Sequence, residues 1–128
     1  MKTDFWKKLF RYGAYWNWFF AASGIIFPKL TRTIMGIGDG GGVGLFQAGF
    51  FWAVALFGLM YWWVSLDPSG PASKKLVQLG ILGKVMVFAY FAHYFFTGRI
   101  NFVPFAAGVG DFIFAGFFTV FLVTNGEK

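Results

Sequence analysis

Residues 43–66 read VGLFQAGFFWAVALFGLMYWWVSL, a stretch without a single charge and with Gln47 as its one strongly polar group. An α-helix rises about 1.5 Å per residue, and about 20 predominantly apolar residues cross the roughly 30 Å of hydrocarbon in a bilayer. The stretch is long enough to do so, and it is closed by a glycine run on one side and by Asp67-Pro68 on the other. Working outward, two similar stretches follow at 76–96 and 104–124, the second with Pro104 suited to a first helical turn. A further one, 12–27, comes before and stops at Pro28; an amphipathic lead-in sets Phe5, Trp6, Leu9 and Phe10 against Lys7, Lys8 and Arg11. The pattern predicts an all-α membrane protein, one domain over 1–128, folded as an up-down antiparallel bundle of four transmembrane helices.

Composition agrees with this reading. With 58% hydrophobic and 12% charged residues and a mean hydropathy of +0.63, a chain of 128 residues has too little interior to hide its apolar surface from water. There is no cysteine, which excludes a disulfide framework and thiolate chemistry, and the single His93 excludes a bis-histidine haem site or a His-rich metal site within one chain. The rival reading of the first stretch is a cleaved leader, given the basic start and Ala21-Ala22-Ser23.

The net charge of +6 does not point to nucleic acid, because the basic residues flank the apolar stretches. Lys2, Lys7, Lys8, Arg11, Lys74, Lys75 and Lys128 fall at the two ends and in the second connection; Lys29, Arg32 and Arg99 fall in the other two. Positive residues are retained in the cytoplasm, so both termini are expected there. The longest connection, 28–42, contains Gly36-Ile37-Gly38-Asp39-Gly40-Gly41-Gly42, whose first six residues match GxGxxG. No strand precedes it, so a dinucleotide site is rejected in favour of a flexible external loop. Asp39 alone is too little for a calcium loop.

In lipid, helices associate through close packing of small residues and through polar contacts. Gly13, Asn17, Ala21 and Gly24 share one face of the first helix; Gly44, Gln47, Val54 and Gly58 share one of the second; Ala107, Asp111 and Ala115 recur every four residues on the fourth, with Gly108 beside them. Each stripe holds one strongly polar side chain, which is expected to point inward. Asn17 and Gln47 can serve there simply as glue between helices.

Three residues within the spans can carry charge: Lys84, His93 and Asp111. Charge at such depth costs several kcal/mol unless it is paired or hydrated. Lys84 lies about 12 Å from the cytoplasmic edge and Asp111 about 20 Å from it, a gap of about 8 Å that a lysine side chain reaching about 6 Å narrows to ion-pair distance. An ion pair between the third and fourth helices is therefore expected, with Asn17 bonded to the ammonium and Gln47 serving the carboxylate. Such a pair can fix helix register and do nothing more. His93 is half a turn out of phase with Lys84. If Lys84 points inward with Val87, Phe88 and Phe91, then His93 belongs to another face with Met86, Ala89, Tyr90 and Thr97. There it is either an interfacial neutral side chain near Tyr94 or a group that meets a partner or a partner's cofactor. No Ser-His-Asp set, second carboxylate or metal cluster accompanies these residues, so neither catalytic residues nor a metal site is assigned.

Asn17, Asp67-Pro68, Gly83-Lys84 and Gly110-Asp111, one set in or at the end of each helix, resemble the DoxX-like group of small bacterial four-helix membrane proteins. The resemblance covers about 12–124 through short motifs. It implies a multi-pass protein of the bacterial cytoplasmic membrane with a lipid- or quinone-like ligand, and it transfers no enzymatic activity.

Three functions fit. The first is a non-catalytic bundle holding an apolar molecule in a pocket lined by Phe20, Phe51, Phe88 and Phe114, with Lys84 and Asp111 orienting its polar end. The second is an accessory or assembly subunit of a larger redox or photosynthetic membrane complex, or a homo-oligomer, with His93 on the contact face. A small transporter ranks last, since the chain shows neither an inverted repeat nor a pair of broken spans.

Overall fold

The computed structural model describes residues 2–125; Lys128, part of the charge count above, lies outside them. Among the described residues there are five helices and no strand: α1 (Lys2–Ile26), α2 (Pro28–Met35), α3 (Val43–Leu66), α4 (Ser73–Phe96) and α5 (Phe102–Asn125). Of these, α3, α4 and α5 are long and apolar enough to cross a membrane, which marks a multi-pass helical membrane protein. They correspond to the expected stretches 43–66, 76–96 and 104–124, with α4 starting earlier, at Ser73, and α5 at Phe102. The first stretch differs more. The amphipathic lead-in is continuous with it, so α1 carries Asp4, Lys7, Lys8 and Arg11 in its first half, and the uncharged remainder, 12–26, is only about 22 Å long.

The expected flexible loop is the second correction. Phe27 leaves helical geometry (φ −121°, ψ 63°), as a residue before proline tends to, and Pro28 opens a new helix at a position where its missing N–H costs nothing. After α2, Gly36 adopts a left-handed conformation (φ 77°), and the N–H groups of Gly36 and Ile37 donate to the carbonyls of Thr33 and Arg32. Gly41 and Gly42 are also left-handed and redirect the chain into α3. The glycine run is thus a helix stop followed by a turn.

The four long helices run antiparallel in sequence, α1 lying along α3 and α4 along α5. Small residues let the first pair approach closely. A Cβ on Gly24 would collide with the Phe51 ring, and one on Gly58 would lie 2.6 Å from the Trp18 indole. The expected stripe Gly13, Asn17, Ala21, Gly24 is buried throughout; on α3 the buried stripe starts later than expected, at Gln47, because Gly44 is exposed.

The two helix pairs meet unevenly. Around the N-terminus of α1 they are sealed: Phe10 stacks on Phe118 with ring centroids 4.8 Å apart, Tyr61 packs on Phe118, Trp6 and Phe10 both meet Phe121 edge-on, and Val64 and Val77 are fully enclosed. Toward the α2 end the pairs part, and α2 lies across the gap. Asn101, just ahead of α5, fastens it there, with the backbone N–H donating to Met35 O and the side-chain amide to Ile34 O. The outer faces are uncovered: Leu45, Phe46, Phe96 and Val123 are each 74–76% exposed. Hydrocarbon is the fitting solvent for so much exposed apolar surface.

Candidate functional site

At the level where the sealed half gives way to the open half, Lys84 of α4 points into the bundle, its side chain 4% exposed. Its Nζ donates to Asp111 Oδ1 of α5 at 2.7 Å and to Asn17 Oδ1 of α1 at 3.0 Å. Asn17 in turn donates from Nδ2 to the backbone carbonyl of Val54 on α3 (3.1 Å). One chain of hydrogen bonds therefore ties all four long helices. The aromatic faces of Tyr61 and Phe114 lie 5.2 Å from Nζ, so the ammonium is held by two oxygen acceptors and two ring faces. The expected bridge and the expected Asn17 contact are both present.

The sequence did not point to Trp16. Its Nε1 donates to the same Asp111 Oδ1 at 3.0 Å. Room for the indole comes from Gly110, the residue before the aspartate, where a Cβ would collide with the Trp16 ring; Gly83, before the lysine, likewise admits Phe57, whose ring a Cβ would approach to 2.9 Å. The Gly-Lys and Gly-Asp pairs thus have a physical reason: each glycine makes room for an aromatic ring of another helix next to the charged residue. Substituting Gly110→Ala is expected to displace Trp16 and cost about 1–3 kcal/mol, an ordinary overpacking penalty. Gly116→Ala, with open space around it, is expected to leave stability unchanged or raise it. Thermal denaturation in detergent, read against the unsubstituted chain, separates the two.

Gln47 does not serve the carboxylate. It sits at the α2 end, where Arg32 Nη1 donates to Gln47 Oε1 (3.0 Å) and Gln47 Nε2 donates to Pro28 O (3.0 Å). Arg32 Nε completes the cluster with Asp39 Oδ1 at 2.7 Å. The reason is simple proximity: α2 delivers an arginine and an exposed carbonyl within reach of Gln47, and that cluster pins α2 to α3. His93 stands apart from both clusters, exposed beside the Tyr94 ring, and Met86, Ala89, Tyr90 and Thr97 are exposed with it, as its phase requires.

Between the helix pairs, from the Lys84–Asp111 pair to α2, runs a cleft of about 520 Å³. Its floor is Asn17, Tyr61, Lys84 and Asp111; its walls include Phe20, Phe50, Phe51, Phe57 and Phe91; Ile34 and Met35 of α2 close its far end. Phe20 and Phe51 line it as expected. Phe88 and Phe114 do not: Phe88 packs on Phe105 and Phe112 at the α4/α5 seam, and Phe114 is taken up by Trp16 and Phe118. The volume and the lining, apolar walls with a few convergent polar groups, are those of a small-molecule site.

No family model, curated protein or solved structure matches the chain.

Proposed function

We propose that this chain is a four-span bundle of the cytoplasmic membrane, both ends on the cytoplasmic side, that holds an apolar molecule without transforming it. The observation that carries the reading is the cleft that ends on a buried ion pair: apolar walls take a hydrocarbon body, and the polar floor takes one polar end. The resemblance to DoxX-like proteins, with a lipid- or quinone-like ligand, fits the same arrangement.

The fourth crossing is assigned to α1. It lies along α3, and its buried face continues through Ala21 and Gly24. Because the chain has no cysteine, the topology is directly testable with single introduced thiols. Thr3→Cys and Ser69→Cys are expected to react with a membrane-impermeant maleimide only from the cytoplasmic side, and Gly40→Cys only from outside; labelling of Thr3→Cys and Gly40→Cys from the same side, with Ser69→Cys from the other, would refute the crossing by α1.

Native mass spectrometry of protein purified in mild detergent is expected to show a small apolar molecule retained by the chain and lost when Ala107→Trp fills the cleft. A chain that retains nothing, and whose melting temperature is indifferent to added membrane lipid extract, would sink the binding reading. A second reading, an accessory subunit of a larger membrane complex, draws its support from the exposed stripe of Met86, Tyr90 and His93, where a lone imidazole faces outward.

A further inference from the structure

The floor of the cleft is unequal in its hydrogen-bonding capacity, and this narrows the ligand. An ammonium offers three hydrogens, and those of Lys84 meet Asp111, Asn17 and the faces of Tyr61 and Phe114, so it has little left to give. Asn17 is used on both sides: its oxygen accepts from Lys84 and its nitrogen donates to Val54 O. The Tyr61 hydroxyl spends its hydrogen on Gly80 O at 3.2 Å. The Trp16 indole spends its own on Asp111.

The carboxylate of Asp111 is different. Both of its bonds, from Lys84 and from Trp16, fall on Oδ1, and among the described residues no group donates to Oδ2. Oδ2 is also not sealed in. The Asp111 side chain keeps 15% of its surface accessible, against 4% for Lys84, and Asp111 lines the cleft. The charged group left without a donor at the end of this apolar cleft is thus an acceptor.

Charge narrows the choice further. Lys84 and Asp111 neutralise one another, so the floor carries no net charge for a ligand to offset. A carboxylate or phosphate headgroup would bring negative charge up against Oδ2. An amine would donate to Oδ2 but would stand close to the Lys84 ammonium in a medium that screens poorly. A ketone, ester or ether has no hydrogen to offer.

We propose that the molecule held in the cleft is a neutral apolar alcohol or phenol whose hydroxyl donates its hydrogen to Asp111 Oδ2. The proposal rests on the binding reading above and specifies its ligand class.

The test is a matched series, 1-dodecanol, its methyl ether and dodecanoate, titrated into delipidated protein and read by native mass spectrometry. The alcohol is expected to bind saturably and about tenfold more tightly than the ether or the carboxylate, the worth of one hydrogen bond to a charged acceptor. Equal binding by the three, or preference for the ether or the carboxylate, overturns the hydroxyl proposal and leaves the cleft reading standing. Saturable binding by none of them overturns the cleft reading, and the proposal with it. The paired variant Lys84→Met/Asp111→Leu, which removes both charges together, is expected to bind alcohol and ether alike. A preference for the alcohol that survives in this variant would show that Oδ2 is not the recognising atom.

Discussion

Asp111→Ala is expected to destabilise the protein by about 3–5 kcal/mol, the cost of leaving one member of a buried ion pair without the other. After the substitution Lys84 keeps Asn17 as its one oxygen acceptor, while its side chain remains almost wholly enclosed by the bundle. A lysine cannot easily escape to an interface from this position. Its ammonium lies against the rings of Tyr61 and Phe114, and the nearer end of the bundle, toward which the side chain would have to turn, is the sealed one. The Trp16 indole loses its acceptor at the same time. The companion variant Lys84→Met/Asp111→Leu is expected to unfold within about 1 kcal/mol of the natural chain or to be more stable, because the attraction between two desolvated charges does little more than offset their desolvation. Reversible unfolding in detergent, followed by tryptophan emission, measures both. A small cost for Asp111→Ala, equal to that of the paired variant, would mean that water reaches the pair and that the bridge is peripheral to stability.

That contrast also bears on why the pair is there. If the double replacement folds as well as the natural chain, register and stability do not require the charges, and the ligand-facing oxygen of Asp111 becomes the better account of them. If only the natural pair gives a single well-formed bundle, the bridge is a register device and the cleft merely adjoins it.

The parts of this architecture that could be read in the sequence are those in which chemistry is expensive. A lysine and an aspartate inside stretches such as 76–96 and 104–124 stand out against apolar neighbours; the cost of charge in lipid turns Lys84 inward, and helical phase then sets His93 on another face. What escaped the reading depends on cheap or distant geometry. The helix α2 lay hidden between a proline and a glycine run, although Pro28 at its start, Leu30 and Ile34 one turn apart, and Gly36 after it were all available as signals. Without α2, Arg32 has no place beside Gln47, and the sequence pattern leaves Asp111 as the nearest charged partner for that amide. Trp16 carries no such signal, because a tryptophan in a membrane helix ordinarily reads as bulk; its place next to Asn17 and the glycine before Asp111 are the only hints. The cleft itself is not encoded in any one residue. It follows from how far two helix pairs splay beyond a sealed half, and no local pattern reports that angle, which is why Phe88 and Phe114 were assigned to its wall.

Phe118→Ala is expected to cost about 3–5 kcal/mol, whereas Phe50→Ala, the same chemical truncation, is expected to cost less than half as much. Phe118 is fully enclosed, with the rings of Phe10, Tyr61 and Phe114 within 6 Å of its own, so its removal leaves a cavity that three helices must collapse to fill. Phe50 is only half-buried and already borders empty volume, so truncating it forfeits contacts with Phe51 and Phe91 and enlarges a space that exists anyway. Between helices in lipid, packing contacts rather than hydrophobic transfer supply the cohesion, and the cost of a truncation follows the number of partners lost. The difference therefore measures how unevenly stability is distributed along the bundle. A solid half can hold the helices together while the other half stays open for a guest, and a bound molecule would then stabilise the open half by mass action. Unfolding of both variants with and without added ligand reads this out: Phe50→Ala should lose most of the ligand-induced stabilisation and Phe118→Ala should keep it. Equal costs for the two substitutions would indicate that side chains repack to fill the cleft, and a guest-sized space would not persist.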